Sequence, residues 1–226
     1  GDDLCSVLLA ARDEDGSAMS DRQVRDELVT LFLAGHETTA NALAWAFILL
    51  AQNPSAEARL ADEAERVLGG RPPSVDDVRR LPFAECVFKE TLRLYPPLFL
   101  LKRTAGAATT LGGVAVPAGV EVSVVPYLTQ RCPLYFERAD EFVPERFEGE
   151  RDKAIDRYAF FPFGGGARVC VGNAFAMTEA AVVLAMTAAR FRLRLVDGDG
   201  AALAPAPGVT LRPRGPVRVR VEPRGA

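Results

Sequence analysis

From Ser20 to Asn53 apolar or small residues recur at Val24, Leu28, Leu31, Gly35, Ala42, Ala46 and Leu49, at steps of three and four except across the Thr38-Thr39 pair. Ser20 followed by Gln23 has the capping-box arrangement at one end, and Asn53-Pro54 stops the pattern at the other. The spacing predicts a single helix of roughly 30 residues, about 45 Å long at 1.5 Å per residue. Beyond Leu28 this helix is apolar nearly all round, so it is expected to be buried on most sides. It is not read as a membrane span, because the stretch Leu31 to Ala51 carries His36, Glu37, two threonines and Asn41 in its middle.

The rest of the chain is punctuated by proline and glycine. Asn53 can cap a second helix with Pro54 in its first position, ending at Gly69-Gly70. A third runs from about Pro82 to Tyr95, where Pro96-Pro97 ends it. Short β-like runs with Gly112-Gly113 and "VPAGV" between Phe99 and Val125 read as hairpins, and residues 126–158 read as irregular. Gly172 to Arg190 has a helical stripe of Phe175, Val182, Met186 and Ala189, and the alternating "FRLRLV" and "VRVRV" beyond it are expected to pair. No internal repeat is apparent.

At 226 residues and 49% hydrophobic content the chain can bury a core as one large domain or two small ones. A net charge of −3 without a block of like charges argues against a nucleic-acid surface. Cys5, Cys86, Cys132 and Cys170 are far apart and form no C-x-x-C, which speaks against a zinc site or a disulfide framework and for a reducing, cytoplasmic setting. The opening "GDDLCSVLLAARDEDG" reads as an amphipathic helix already under way, with no initiator methionine or targeting segment, as in a piece of something longer.

The string "FPFGGGARVCVG", Phe161 to Gly172, poses the functional question. A dinucleotide loop needs glycine where Val169 stands, and a Walker loop needs Gly-Lys-Ser/Thr, so both phosphate readings fail on spacing. One sulfur without a second ligand nearby suits an iron already held by four porphyrin nitrogens. The glycines allow positive φ and a backbone lying against a flat macrocycle. Amides at the start of the following helix favour a thiolate there. A buried cysteine in a glycine loop is the open alternative at this point.

Phe163, Gly166, Arg168, Cys170 and Gly172 match F-x-x-G-x-R-x-C-x-G, which closely resembles the heme-binding signature of the cytochrome P-450 monooxygenases. Three further stretches are similar to the family's text, in its order: "AGHETT" at Ala34–Thr39, "ETLR" at Glu90–Arg93 and "PERF" at Pro144–Phe147. The resemblance implies a mainly α fold with small β-sheets, an α+β class, built around the long helix. It makes residues 1–226 the C-terminal, heme-binding part of a single domain whose N-terminal half is absent. It implies heme b, iron protoporphyrin IX, with Cys170 as the iron's axial ligand.

Ala34, Gly35, Gly164 and Gly172 then lie against the porphyrin, Arg103 and Arg168 meet its carboxylates, and Phe163 shields the sulfur. Thr38, whose hydroxyl can bond back to the carbonyl of Ala34 or Gly35, and Glu37 pass protons to dioxygen. Leu98, Phe99, Leu100 and Leu101 line the substrate pocket, with Lys102 a weaker candidate beside Arg103. Glu90, Arg93 and Arg146 form a structural network that locks the Cys170 loop against its helix. His36 stands in a variable position and is expected to face solvent or a packed helix. Cys86 and Cys132 read as structural thiols.

The implied activity is insertion of one atom of O2 into an apolar small molecule, with electrons from a ferredoxin or flavoprotein reductase and no nucleic-acid partner. No membrane segment is read in this chain, and a bacterial cytoplasmic enzyme is expected. Two other readings stand beside it: a non-catalytic heme-binding or interaction fragment, and a heme-thiolate isomerase or dehydratase. The Glu37-Thr38 pair favours oxygen chemistry, since rearrangement needs no proton delivery to dioxygen.

Overall fold

The computed structural model describes residues 1–196 and 203–224, in two compact units, residues 1–38 and 39–226. In the first, α1 (Leu4–Ala10) starts where the Asp3 carboxylate accepts the Ser6 amide at 2.9 Å, and a bridge between Arg12 and Ala18 follows it. The long helix α2 (Asp21–Gln52) opens with the predicted capping box. Ser20 Oγ accepts the Gln23 amide at 3.3 Å and Gln23 Oε1 accepts the Ser20 amide at 2.9 Å.

Burial along α2 departs from expectation. Val29, Phe32 and Leu33 are 51%, 71% and 63% exposed, and after Val24 the next buried residue is Thr39. Apolarity on all sides permits burial but does not supply partners, and between Val29 and Glu37 the described residues leave most of the helix open.

In the second unit the last turns of α2 pack with α3 (Pro54–Leu68), α5 (Pro82–Leu94) and α8 (Asn173–Arg190) around one apolar cluster that includes Ala46, Leu60, Ala64, Leu81, Phe88 and Leu184. The short helix α4 (Val75–Val78) links α3 to α5. Asn53 does not cap α3. Its side-chain Nδ2 donates to Leu49 O at 2.7 Å and closes α2 instead, while Gly69, in the left-handed region at φ 52°, ends α3 as expected. Glu63 of α3 reaches over to accept the amides of Phe83 and Ala84, each at 2.9 Å, so one helix caps the next.

The buried face of α8 also differs from the predicted stripe. Ala180, Ala181, Leu184, Ala185 and Ala188 face inward, whereas Phe175 is exposed and Val182, Met186 and Ala189 are half-buried. The core here is narrow because α3 and α5 both pack against α8, so the alanine face fits and the larger side chains sit at its margins.

Four two-stranded antiparallel sheets complete the described residues, giving a mixed α+β fold with helices dominant. Strands β1 (Leu101–Thr104) and β4 (Glu121–Val124) pair with Leu101 opposite Val124, and β2 (Thr109–Leu111) joins β3 (Val114–Val116) through Gly112-Gly113. The expected terminal pairing forms between β5 (Phe191–Leu195) and β8 (Val219–Pro223). An unpredicted pair, β6 (Pro205–Pro207) with β7 (Leu211–Pro213), lies between them in sequence. It is anchored from outside: Trp45 Nε1 donates to Leu211 O at 3.1 Å, Asn41 Nδ2 to Thr210 Oγ1 at 2.8 Å, and the Leu211 amide to Pro97 O at 2.9 Å. The irregular stretch contains only α6 (Pro126–Thr129), a 3-10 turn at Pro144–Phe147 and α7 (Glu150–Ala154). Among the described residues no helix is long and apolar enough to cross a membrane.

Cys86 Sγ donates to Phe147 O at 3.1 Å, and burial pushes its thiol up to about 12 from 9.0. Across that window the unfolded chain has released a proton that the folded chain keeps, so stability falls as pH rises from 9.0 toward about 12. Urea midpoints should decline more steeply over this range in the native sequence than in Cys86→Ala. At pH 8 iodoacetamide should label Cys170, which is exposed, and spare Cys86.

Candidate active site

Proline at either side sets the limits of α5: Pro82 starts it and Pro96-Pro97 follows its end, so Glu90 and Arg93 fall on one face, three residues apart. Both are fully buried. Arg93 Nε and Nη2 form a fork onto Glu90 Oε2 and Oε1 at 2.7 and 2.9 Å, while its remaining N–H groups reach Gln130 O, Ala139 O and Glu141 O at 2.9, 2.6 and 3.0 Å. Glu90 Oε1 also accepts the Val143 amide at 2.8 Å and Arg146 Nε at 3.3 Å. The predicted trio of Glu90, Arg93 and Arg146 therefore meets in space. Its bonds end on residues 130–146 and not on the Cys170 loop.

The connection onward runs through Gln130, which the sequence reading passed over. Its side chain is fully buried, donates to Leu92 O and Arg93 O at 2.9 and 3.2 Å, and accepts the Phe161 amide at 3.0 Å. The only signal in the text was a polar residue inside "TQRCP", which gives no hint of burial.

Phe161 opens the cysteine loop. Its carbonyl accepts the Gly164 amide at 2.9 Å, and the Phe163 carbonyl accepts the Cys170 amide at 3.0 Å. Gly164 and Gly166 lie at φ 73° and 69°, the left-handed region where glycine costs nothing sterically. Cys170 is exposed, and Val169, Val171 and Phe175 present apolar surface around it in sequence. The Phe163 ring packs against the main core. Gly172 immediately precedes α8. Arg168 is exposed and makes no ion pair or hydrogen bond among the described residues.

Strand β1 approaches the loop: a Cβ built on Gly164 would stand 3.8 Å from Leu101 Cδ1. Leu98 is exposed, and Phe99, Leu100 and Leu101 are half-buried. Lys102 pairs with Glu121 at 2.7 Å, which leaves Arg103, bonded only to the Lys102 carbonyl at 2.7 Å, without a carboxylate partner among the described residues.

In the first unit Thr38 Oγ1 donates to Ala34 O at 2.6 Å. Thr30 and Thr91 make the same bond to residues four positions earlier, at 2.8 Å each, so it is the ordinary back-bond of a helical threonine. Ala34, Gly35 and Glu37 are exposed. His36 is exposed too, with its ring parallel to that of Phe32 at 6.0 Å between centroids.

The cytochrome P-450 family model matches residues 2–220. The chain is 46% identical over 231 residues to cyclooctatin synthase of Streptomyces melanosporofaciens, covering 99% of this chain and 48% of that protein. It is 41% identical over 192 residues to pentalenene oxygenase of Streptomyces avermitilis, covering 85% of this chain and 43% of that protein. A third relative, cyclooctat-9-en-7-ol 5-monooxygenase of Streptomyces melanosporofaciens, is 41% identical over 198 residues, 88% of this chain and 43% of that protein. The chain belongs to the cytochrome P-450 family. It spans about half the length of the curated relatives it matches.

Membership brings with it a heme-thiolate cofactor, and the donor set of this cytochrome P-450 chain suits one. Cys170 offers a single exposed sulfur, the one protein donor that an iron already held by four porphyrin nitrogens needs. Glu90→Ala should lower unfolding stability by about 3 to 5 kcal/mol, because it leaves the fully buried Arg93 without its carboxylate, and Arg93→Ala should cost less, because Glu90 keeps Arg146 at 3.3 Å. Denaturant titration checks this; a loss below about 1 kcal/mol, the worth of an exposed pair, would contradict the burial argument.

Proposed function

We propose that the protein carrying this chain is a heme-thiolate monooxygenase that inserts one atom of O2 into an apolar organic substrate. Its electrons come from a ferredoxin or flavoprotein reductase, its setting is cytoplasmic, and residues 1–226 form the heme-binding part of one domain. The Cys170 loop carries the reading: an exposed sulfur on a glycine-rich turn, flanked by exposed apolar side chains, with the unpaired guanidinium of Arg168 two residues away. Such a surface suits a flat, apolar ligand with acidic edges, as heme b is.

In this reading Cys170 holds the iron through its thiolate, and Arg168 and Arg103 each offer a fork of N–H donors to a propionate. Gly164 and Gly172 would keep side chains out of the way of the macrocycle, Phe163 would wall off the sulfur, and the family resemblance assigns the small residues Ala34 and Gly35 to the same cofactor. Bound heme supplies the activation of dioxygen and the oxidation of substrate. Glu37 and Thr38 would supply the carboxylate and hydroxyl of a proton path, the Thr38 hydroxyl being the group that donates to Ala34 O. Leu98 to Leu101 offer apolar surface that excludes water from an apolar substrate. The names pentalenene oxygenase and cyclooctat-9-en-7-ol 5-monooxygenase support an unsaturated, largely hydrocarbon substrate.

After addition of hemin, reduction and exposure to carbon monoxide, the chain should show the red-shifted Soret band of thiolate ligation, and Cys170→Ser should abolish it. Retention of the band in Cys170→Ser would refute the ligand assignment. In the intact protein Thr38→Ala should cut oxygen-dependent product formation by roughly 10- to 100-fold and release more peroxide. Equal turnover without extra peroxide would remove the proton-delivery role.

A further inference from the structure

We infer that Gln130 is the positioning residue that registers the Cys170 loop against α5, so that the buried ion pair and the cysteine sulfur are held as one piece. Among the described residues, its bond to the Phe161 amide is the one hydrogen bond joining Phe161–Gly172 to any residue outside the loop and α8. The loop's other polar contacts are internal or run to the start of α8, as with the Ala176 amide on Gly172 O at 2.9 Å.

The side chain is fully committed in one orientation. Both amide protons point at carbonyls, Leu92 O and Arg93 O, and the amide oxygen meets an N–H; turned over, it would set oxygen against two oxygens and N–H against N–H. Its main chain is fixed as well, because Gln130 O accepts Arg93 Nη1 at 2.9 Å and its amide donates to Pro126 O at 2.8 Å. From Phe161 the placement passes along the loop: Phe161 O holds the Gly164 amide, and Phe163 O holds the Cys170 amide. Apolar packing of Phe163 sets the loop's depth, and the directional hydrogen bond at its first residue adds a fixed register.

The spectroscopic part of the test rests on the heme reading of Cys170, and the exchange part does not. In the unsubstituted chain without heme, the Phe161 amide should exchange with solvent at least about tenfold more slowly than that of exposed Gly165, in keeping with a half-buried, bonded donor. Equal rates would overturn the proposal even if no variant folds.

Two variants separate positioning from space-filling. Gln130→Glu keeps the acceptor for Phe161 and introduces a buried acid, whereas Gln130→Met keeps the volume and loses the bond. With hemin, reductant and carbon monoxide, Gln130→Glu should hold a near-native ratio of thiolate-ligated to other forms, and Gln130→Met should lose about tenfold of it. Melting temperatures should run the opposite way, with Gln130→Met the more stable. If the ligation ratio instead follows the melting order, Gln130 only fills space and the proposal is wrong. If the unsubstituted chain shows no thiolate band, the heme reading fails, and exchange at Phe161 in the same variants decides the role of Gln130.

Discussion

The second unit is organised by a buried guanidinium with every proton spoken for. Arg93 has five N–H groups, and in this fold two meet Glu90 and three meet main-chain carbonyls of residues 130, 139 and 141. Removing two charges from water costs several kcal/mol per ion, and only complete satisfaction of both partners offsets it. Here the same bonds solve a second problem. The segment from residue 130 to 146 has almost no regular structure to absorb its carbonyls, and Arg93 takes three of them. Irregular chain can be buried beside α5 because an ion pair stands in for a ladder.

Much of this architecture was legible from local chemistry. Ser20 and Gln23 announced the start of α2, Pro82 and Pro96-Pro97 bracketed α5, and alternation in "FRLRLV" and "VRVRV" foretold the β5–β8 pair. Those signals depend on residues close in sequence. What failed depended on distant partners. Asn53 had two neighbouring uses and took the one closing α2; the burial of α8 followed the closeness of α3 and α5, which favours alanine over the larger residues that hydrophobicity alone selects.

The same division runs through the candidate site. The family resemblance brought Glu90, Arg93 and Arg146 together on paper, and they meet in space. Gln130 was illegible because glutamine is a surface residue by default, and only the fold puts two carbonyls and an amide around it. The open stretch of α2 between Val29 and Glu37 was misjudged for the converse reason. An apolar face records an ability to be covered, and covering is a property of neighbours.

Gly164 has a bearing on how such a site diversifies. Its φ of 73° excludes most other residues, and the space a Cβ would take lies 3.8 Å from Leu101. A half-buried strand position is ordinarily free to drift, one side chain at a time. Leu101 has less of that freedom, since it lies beside a loop residue whose positive φ favours glycine. Substitutions at the two positions are therefore expected to couple, because the side chains accommodated at 101 depend on the path of the loop beside it.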